Sequence, residues 1–366
     1  MNFKRFGAPL AVLAVAALAL SACAANEGGS SPSNSSSSSA KSYSGTLNGI
    51  GSSAQGAAQT VWATGFQTAN PDVTVNYDPQ GSGAGRTSFI GGSADFAGSD
   101  AALNDKELTS DFVGCAAGSG ALDLPVYISP IAIAYNVDGL KDLKLDAATI
   151  AGIFSGAITT WNDPKIAALN SGTTLPSDSI TVVHRSDDSG TTQNFTEYLA
   201  ANAKDVWTKP SSQTFPYQVG DAAKGTSGVA DAVKNAKNSI TYIDDSGAAG
   251  LSKAQLKVGD SFSTISAAGA ADVVAKSPVA TGRDKNDLAV AIDRTNTDQN
   301  AWPLVLVSYM ITCQEYKDSA KADLVKGYAS YVVSDAAQQE AAKSAGSAPL
   351  AADLATKVKA AIDSIK

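Results

Sequence analysis

Val183-His184-Arg185-Ser186-Asp187-Asp188-Ser189-Gly190-Thr191-Thr192-Gln193-Asn194-Phe195-Thr196 reads as the end of a strand turning directly into a helix. Upstream, Ile180, Val182 and Val183 form a β-type run. Downstream, Phe195, Tyr198 and Leu199 recur at helical spacing, which predicts Ser189-Gly190-Thr191 at the first turn. That turn has backbone N–H groups without intrahelical partners and carries the positive end of the helix dipole. Two hydroxyl residues flank a glycine that lets an oxyanion approach the backbone, and Arg185 stands beside them. Taken alone, Ser189 is an ordinary helix cap and Arg185 an ordinary strand-end charge.

Two further stretches repeat the pattern. Gly51-Ser52-Ser53-Ala54-Gln55-Gly56 precedes a helical segment containing Val61, Trp62 and Phe66. Gly81-Ser82-Gly83-Ala84-Gly85-Arg86 lies between a strand, 73–77, and a short helix after Gly85 containing Phe89 and Ile90. One such anion seat is common; three in one chain read as parts of a single site.

With 366 residues, 44% of them hydrophobic, the chain is long enough for two lobes and can bury both cores. Residues 1–22 read as a leader: Lys4 and Arg5 form a basic start, and the apolar stretch 10–20 is too short to span a bilayer comfortably. It ends Leu20-Ser21-Ala22-Cys23, similar to the lipobox of bacterial lipoproteins, which makes Cys23 the lipidation site. A diacylglyceryl group brings two acyl chains, enough for stable anchoring where one is marginal. The Ser/Gly-rich tract that follows cannot bury apolar surface, so 23–43 is expected to be a lipid-anchored tether with a reach of roughly 20–25 Å.

Losing Lys4 and Arg5 takes the formal charge from −8 to −10. An acidic body with no basic stripe excludes nucleic acid and general attraction to anionic lipid, so an anion must be held by local dipoles and hydrogen bonds. Cys115 and Cys313, an even pair on an exported chain, are expected to form a disulfide that brings the C-terminal third back onto the N-terminal part. With one histidine and no closely spaced cysteines, a metal site is not expected.

From residue 46 to about 131 strands alternate with helices, as in a parallel sheet with crossovers, and Asp100 comes just past the buried-type strand 94–100. The β-rich run 124–135, interrupted by prolines, is the expected first crossing between lobes, and 304–312 the return. Between them the pattern predicts helices at 147–154, 164–169, 191–200 and 229–236 and strands at 180–185 and 239–243. Two amphipathic helices, around 324–333 and 354–365, close the chain.

Ser–His–Asp hydrolysis would need His184, which lies on the strand leading into the turn that holds Ser189 and is badly placed to reach over its hydroxyl. Asp188-Ser189-Gly190-Thr191 matches the motif of aspartic proteases. Those enzymes need a second copy in a matching all-β lobe, and Asp245-Ser246-Gly247-Ala248 falls in the same expected lobe. Asp100 is the informative member of the set. A carboxylate repels a bound anion unless the anion carries a proton that it can accept. Orthophosphate keeps a proton at neutral pH and sulfate does not.

Arg185-Ser186-Asp187-Asp188-Ser189-Gly190-Thr191, with Gly81-Ser82-Gly83, Ala94-Asp95-Phe96-Ala97-Gly98-Ser99-Asp100 and Asn300-Ala301-Trp302-Pro303-Leu304, resembles the PstS family, the phosphate-binding proteins of bacterial phosphate ABC transporters. The resemblance runs from Thr46 to the C-terminus. It implies a type II, two-lobed periplasmic-binding-protein-like α/β fold with a hinge, lobe I being 44–131 with 304–366 and lobe II 132–303. Carried over, the phosphate contacts fall on Ser53 with the amide of Ala54, Ser82, Asp100, Arg185, Ser189, Gly190 and Thr191, with Asp187 steadying the arginine. Where many relatives have Thr-Phe-Pro after the glycine, this chain has Ser52-Ser53-Ala54, which leaves open which of the three supplies the contact. The resemblance further implies a monomer without cofactor or catalysis, delivering inorganic phosphate to permease subunits and their ATPase at the extracytoplasmic face of the cell membrane. The alternatives are another tetrahedral oxyanion, sulfate or molybdate, or a phosphate-ester hydrolase.

Overall fold

The computed structural model describes residues 42–298 and 300–366; the leader, Cys23 and most of the tether lie outside them. The chain begins with β1 (Gly45–Gly51), α1 (Gly56–Ala69), β2 (Val73–Asp78), α2 (Ser82–Ile90), β3 (Phe96–Ser99) and the short α3 (Asp105–Leu108). β1 pairs in parallel with both β2 and β3, so the turns that follow all three strands open at the same edge. The helix expected after Gly85 starts earlier, at Ser82. Three glycines argued against that start, but the backbone has no room for larger residues: a Cβ on Gly85 would lie 2.6 Å from Gly51 Cα.

The proline-interrupted run forms one long strand, β4 (Ala121–Asn136), buried along almost its whole length. β5 (Lys144–Leu145), α4 (Ala147–Phe154), α5 (Pro164–Leu169), β6 (Thr181–Arg185), α6 (Gly190–Asn202), β7 (Asp221–Ala223), α7 (Gly225–Asn235) and β8 (Ser239–Asp244) follow. Then come β9 (Ser252–Lys253), β10 (Gln255–Val258), β11 (Ser261–Ser263) and α8 (Ala267–Lys276). The return is β12 (Val305–Cys313), and α9 (Ser319–Val332), α10 (Asp335–Ala345) and α11 (Ala352–Asp363) end the chain.

Among the described residues one sheet runs β2-β1-β3-β12-β4-β8-β6-β7, and β4 belongs to both of its halves. Ala121 to Pro130 pair antiparallel with β12, and from Ile131 to Asn136 the partner becomes β8. The prolines fit this exchange. Pro125 sits at a register shift opposite Ser308/Tyr309, and Pro130 at the last β12 pair, where a missing N–H costs least. The result is the two-lobed α/β architecture that the sequence predicts; β4 runs through both halves of the sheet, while β12, expected as the return crossing, pairs with β3 and with the first part of β4. Trp62 and Phe66 of α1 anchor the helices of one half, and the Trp62 indole donates to Ala337 O at 2.9 Å. In the other half Phe195 stacks on Tyr242 and Phe154 meets Phe195 edge-on. Tyr43, counted with the tether in the sequence reading, rests its ring on Phe66.

Cys115 and Cys313 are bridged, Cα to Cα 5.4 Å, which fastens the loop before β4 to the end of β12. α8 and the small sheet β11-β10-β5 were not anticipated. Their strands are too short for a period-2 signal to emerge. No helix among the described residues is long and apolar enough to cross a membrane.

Candidate functional site

The three Gly/Ser turns converge. β1 delivers Ser52 and Ser53, β2 delivers Ser82 at the start of α2, Asp100 directly follows β3, and from the other half β6 delivers Arg185 and the start of α6. Ser189 is the N-cap of α6, accepting from the Thr192 amide at 3.1 Å, which leaves the Gly190 and Thr191 amides beyond reach of any intrahelical carbonyl. Gly190 has to be glycine here. A Cβ would stand 2.7 Å from both Ser82 Oγ and Asp100 Cβ, so the two halves of the molecule meet at this backbone.

Asp100 lies at the centre and is 4% exposed. Its Oδ1 accepts from Ser52 Oγ through a short bond and from Ser308 Oγ at 2.6 Å, and its Oδ2 accepts from Thr191 Oγ1 at 3.0 Å. Its amide donates to Ser82 Oγ at 3.1 Å, so the Ser82 proton is left to donate elsewhere. All three donors to the carboxylate are neutral hydroxyls. A carboxylate offers about four lone-pair positions, so one on Oδ2 stays available.

Arg185, 4% exposed, holds Asp187 in a fork, Nε to Oδ1 at 2.8 Å and Nη2 to Oδ2 at 2.5 Å. Nη1 has no partner among the described residues, and the fork fixes the plane in which it points. Burial pushes the Asp187 carboxyl up, but the hydrogen bonds and charge of Arg185 and the Gly225 amide outweigh it and hold it below the usual range. Gly81, with φ of 109°, lies against this carboxylate, where a Cβ would come within 2.4 Å of Oδ2.

In the loop 52–54, Ser52 is the partner of Asp100. The Ala54 amide turns inward to Ser52 Oγ at 3.1 Å, and Ser53 Oγ faces the other half, 3.0 Å from Thr226 Oγ1. Both groups thus have partners within the protein, and the Ser52 hydroxyl holds a local turn of its own. Around this seat the halves are joined by Gly83 N to Asp188 O at 3.1 Å, Arg86 Nη2 to Gln213 Oε1 at 2.7 Å and Lys224 Nζ to Gln80 Oε1 at 2.6 Å.

His184 stacks on Phe215 at 4.2 Å and bonds the Arg185 carbonyl, with no hydrogen bond to Ser189 among the described residues. Asp188 accepts from Thr214, and Asp245 pairs with Lys253. Ser308, Thr226, Asn194 and Arg86 were not singled out from the sequence. Ser308 had one visible signal, a small hydroxyl residue in the middle of a largely apolar strand.

A family model described as the PBP superfamily domain matches residues 35–336. The chain is 40% identical over 289 residues to the phosphate-binding protein PstS 3 of Mycobacterium leprae, covering 77% of each. To the phosphate-binding protein PstS 2 of Mycobacterium tuberculosis it is 37% identical over 334 residues, covering 87% of each. Among solved structures, a high-affinity periplasmic phosphate-binding protein bound with phosphate superimposes with a TM-score of 0.71 at 22% identity, over 86% of this chain and 93% of that one. A phosphate-binding protein from Stenotrophomonas maltophilia gives 0.70 at 20% identity, over 87% and 94%. At these identities the structures speak for the fold.

Proposed function

We propose, from the premise that this chain belongs to the PBP superfamily and within it to the PstS phosphate-binding proteins, that it binds inorganic phosphate between its lobes and delivers it to an ABC transporter for import. One observation carries the choice of anion. Asp100 is buried in the anion seat and, among the described residues, neutral hydroxyls are its only side-chain donors, so its charge faces whatever binds there. An anion bearing a proton can donate it to the open position on Oδ2; sulfate has none and meets an unpaired repulsion. The Gly190 and Thr191 amides, the hydroxyls of Ser82 and Ser189 and Nη1 of Arg185 supply the opposing donors.

The lobes are read as 44–131 with 304–366, and 132–303, supported by the partner exchange in β4 at Pro130/Ile131. The protein acts without chemistry of its own, as a monomer, attached to the extracytoplasmic face through lipid on Cys23. Replacing Cys23 with Ser should abolish incorporation of labelled fatty acid, and a variant still labelled would remove the anchor from this account. Calorimetry with phosphate and sulfate, beside an assay with a chromogenic phosphomonoester, tests the function. Tight phosphate binding, weak sulfate binding and no turnover are expected; sulfate binding as tight as phosphate, or hydrolysis, overturns it.

A further inference from the structure

Behind Asp100, away from its carboxylate, a buried polar chain links three parts of the molecule. Asn194, on the second turn of α6 and 3% exposed, donates through Nδ2 to the backbone carbonyl of Asp100 at 2.7 Å and to Gly190 O at 2.8 Å. Its Oδ1 accepts from Arg294 Nη2 through a short bond. The same nitrogen pairs with Glu197 Oε2 at 2.9 Å, while Nη1 donates to Val305 O at 2.5 Å, at the start of β12. Arg294 is 7% exposed, and it lies on the segment between α8 and β12.

The chemistry of the chain sets its direction. A guanidinium can only donate, so it must meet the amide oxygen of Asn194, and that turns the NH2 toward the Asp100 carbonyl. Asp100 belongs to one half and Asn194 to the other, so this bond forms when the halves meet. It touches neither the Asp100 carboxylate nor the first-turn amides that face the anion. A polar cavity of about 400 Å³ borders the chain, lined in part by Asp100, Asn194, Glu197 and Arg294. It gives water access to the carbonyls that a shortened residue 194 would uncover.

We infer that Asn194, oriented by Arg294, is a positioning residue that holds the closed lobes together and so sets how slowly the anion leaves, without contributing to which anion is chosen. The inference rests on the phosphate-binding reading. A bond formed only on closure adds to the stability of the bound, closed state and is absent from the open state that captures ligand. Its loss therefore falls on release.

The test is stopped-flow phosphate binding and release for Asn194→Ala and Arg294→Lys beside the unaltered protein, with calorimetry for phosphate and sulfate. Asn194→Ala should raise koff about tenfold, the loss expected for a buried hydrogen bond with its partner left to water, and change kon less than about threefold. Arg294→Lys keeps the buried charge but not the fork. It should move koff the same way by a smaller factor and carries the test if Asn194→Ala does not fold. The phosphate-to-sulfate ratio should stay as in the unaltered protein. An unchanged koff, a kon that falls as far as koff was expected to rise, or a collapse of the ratio overturns the inference. Failure of the unaltered protein to bind phosphate would instead refute the function itself.

Discussion

Among the described residues three buried carboxylates lie on strands of the central sheet or directly at their ends, and each is accommodated differently. Asp123, in the β12-paired part of β4, is 0% exposed and meets a cation: Arg283 Nη1 lies 2.8 Å away and also holds Asp287 at 2.6 Å. Asp244, at the end of β8, has neutral donors alone among the described residues, including Tyr127 at 3.2 Å and the amide of Ser246 at 3.0 Å, with a short bond from the Ser246 hydroxyl. Burial pushes its carboxyl up to about 7 against the hydrogen bonds of Ser246 and Ser129, and the charge of Asp100 adds to the rise. Asp100 also has neutral donors, but it faces the first turn of α6 from the opposite half. Burial and the charge of Asp287 push the Asp123 carboxyl up to about 7 as well, against Arg283. The three thus differ in their partners: a cation for Asp123, neutral donors for Asp244, and for Asp100 neutral donors with an open position facing α6. Burial alone does not mark a functional carboxylate; what stands opposite it does.

This contrast can be broken most forcefully at Arg283. Arg283→Ala leaves Asp123 and Asp287 without their cation and should destabilise the fold by about 3–5 kcal/mol, while the folded protein keeps its phosphate affinity. Thermal denaturation followed by calorimetry reads both. Arg185→Ala should do the reverse, weakening phosphate binding by about 2–5 kcal/mol because a desolvated anion is left under-paired. Unchanged affinity in that folded variant would place the anion elsewhere.

A smaller effect sharpens the position of Asp244. Its folded value near 7 lies above the unfolded value of about 3.9, so its proton favours the native state at low pH and that contribution fades as pH rises through about 7. Asp244→Asn, which cannot titrate, should therefore gain melting temperature relative to the unaltered protein as pH is raised from about 4 to about 8. A constant difference across that range would show that Asp244 is ionised throughout.

The sequence made the anion seats legible because each is local. Ser189 caps α6 where the strand-to-helix spacing put it, and the same logic brought Ser82 and Asp100 to one edge of the sheet. Ser308 was illegible for the opposite reason. It reaches Asp100 only because β12 lies between β3 and β4 and pairs with β3 across more than two hundred residues. Asn194 looked like any polar residue on a helix until Arg294 came back from the far end of the second half to orient it. At 52–54 the family pattern gave no hint that Ser52 would bond its own turn and reach Asp100 directly, because that turn depends on a serine where many relatives have another residue.

The central claim is that the charge of Asp100 is held for a proton on the ligand, and the most direct measurement is the phosphate-to-sulfate affinity ratio of Asp100→Asn. Asparagine keeps the size, and its carbonyl can still accept the phosphate proton, while its NH2 can donate to an anion and the repelling charge is gone. Phosphate should weaken modestly, sulfate should strengthen, and the ratio found by calorimetry on the folded variant should shrink. A ratio equal to that of the unaltered protein would contradict the account and leave selectivity to the amides and hydroxyls alone.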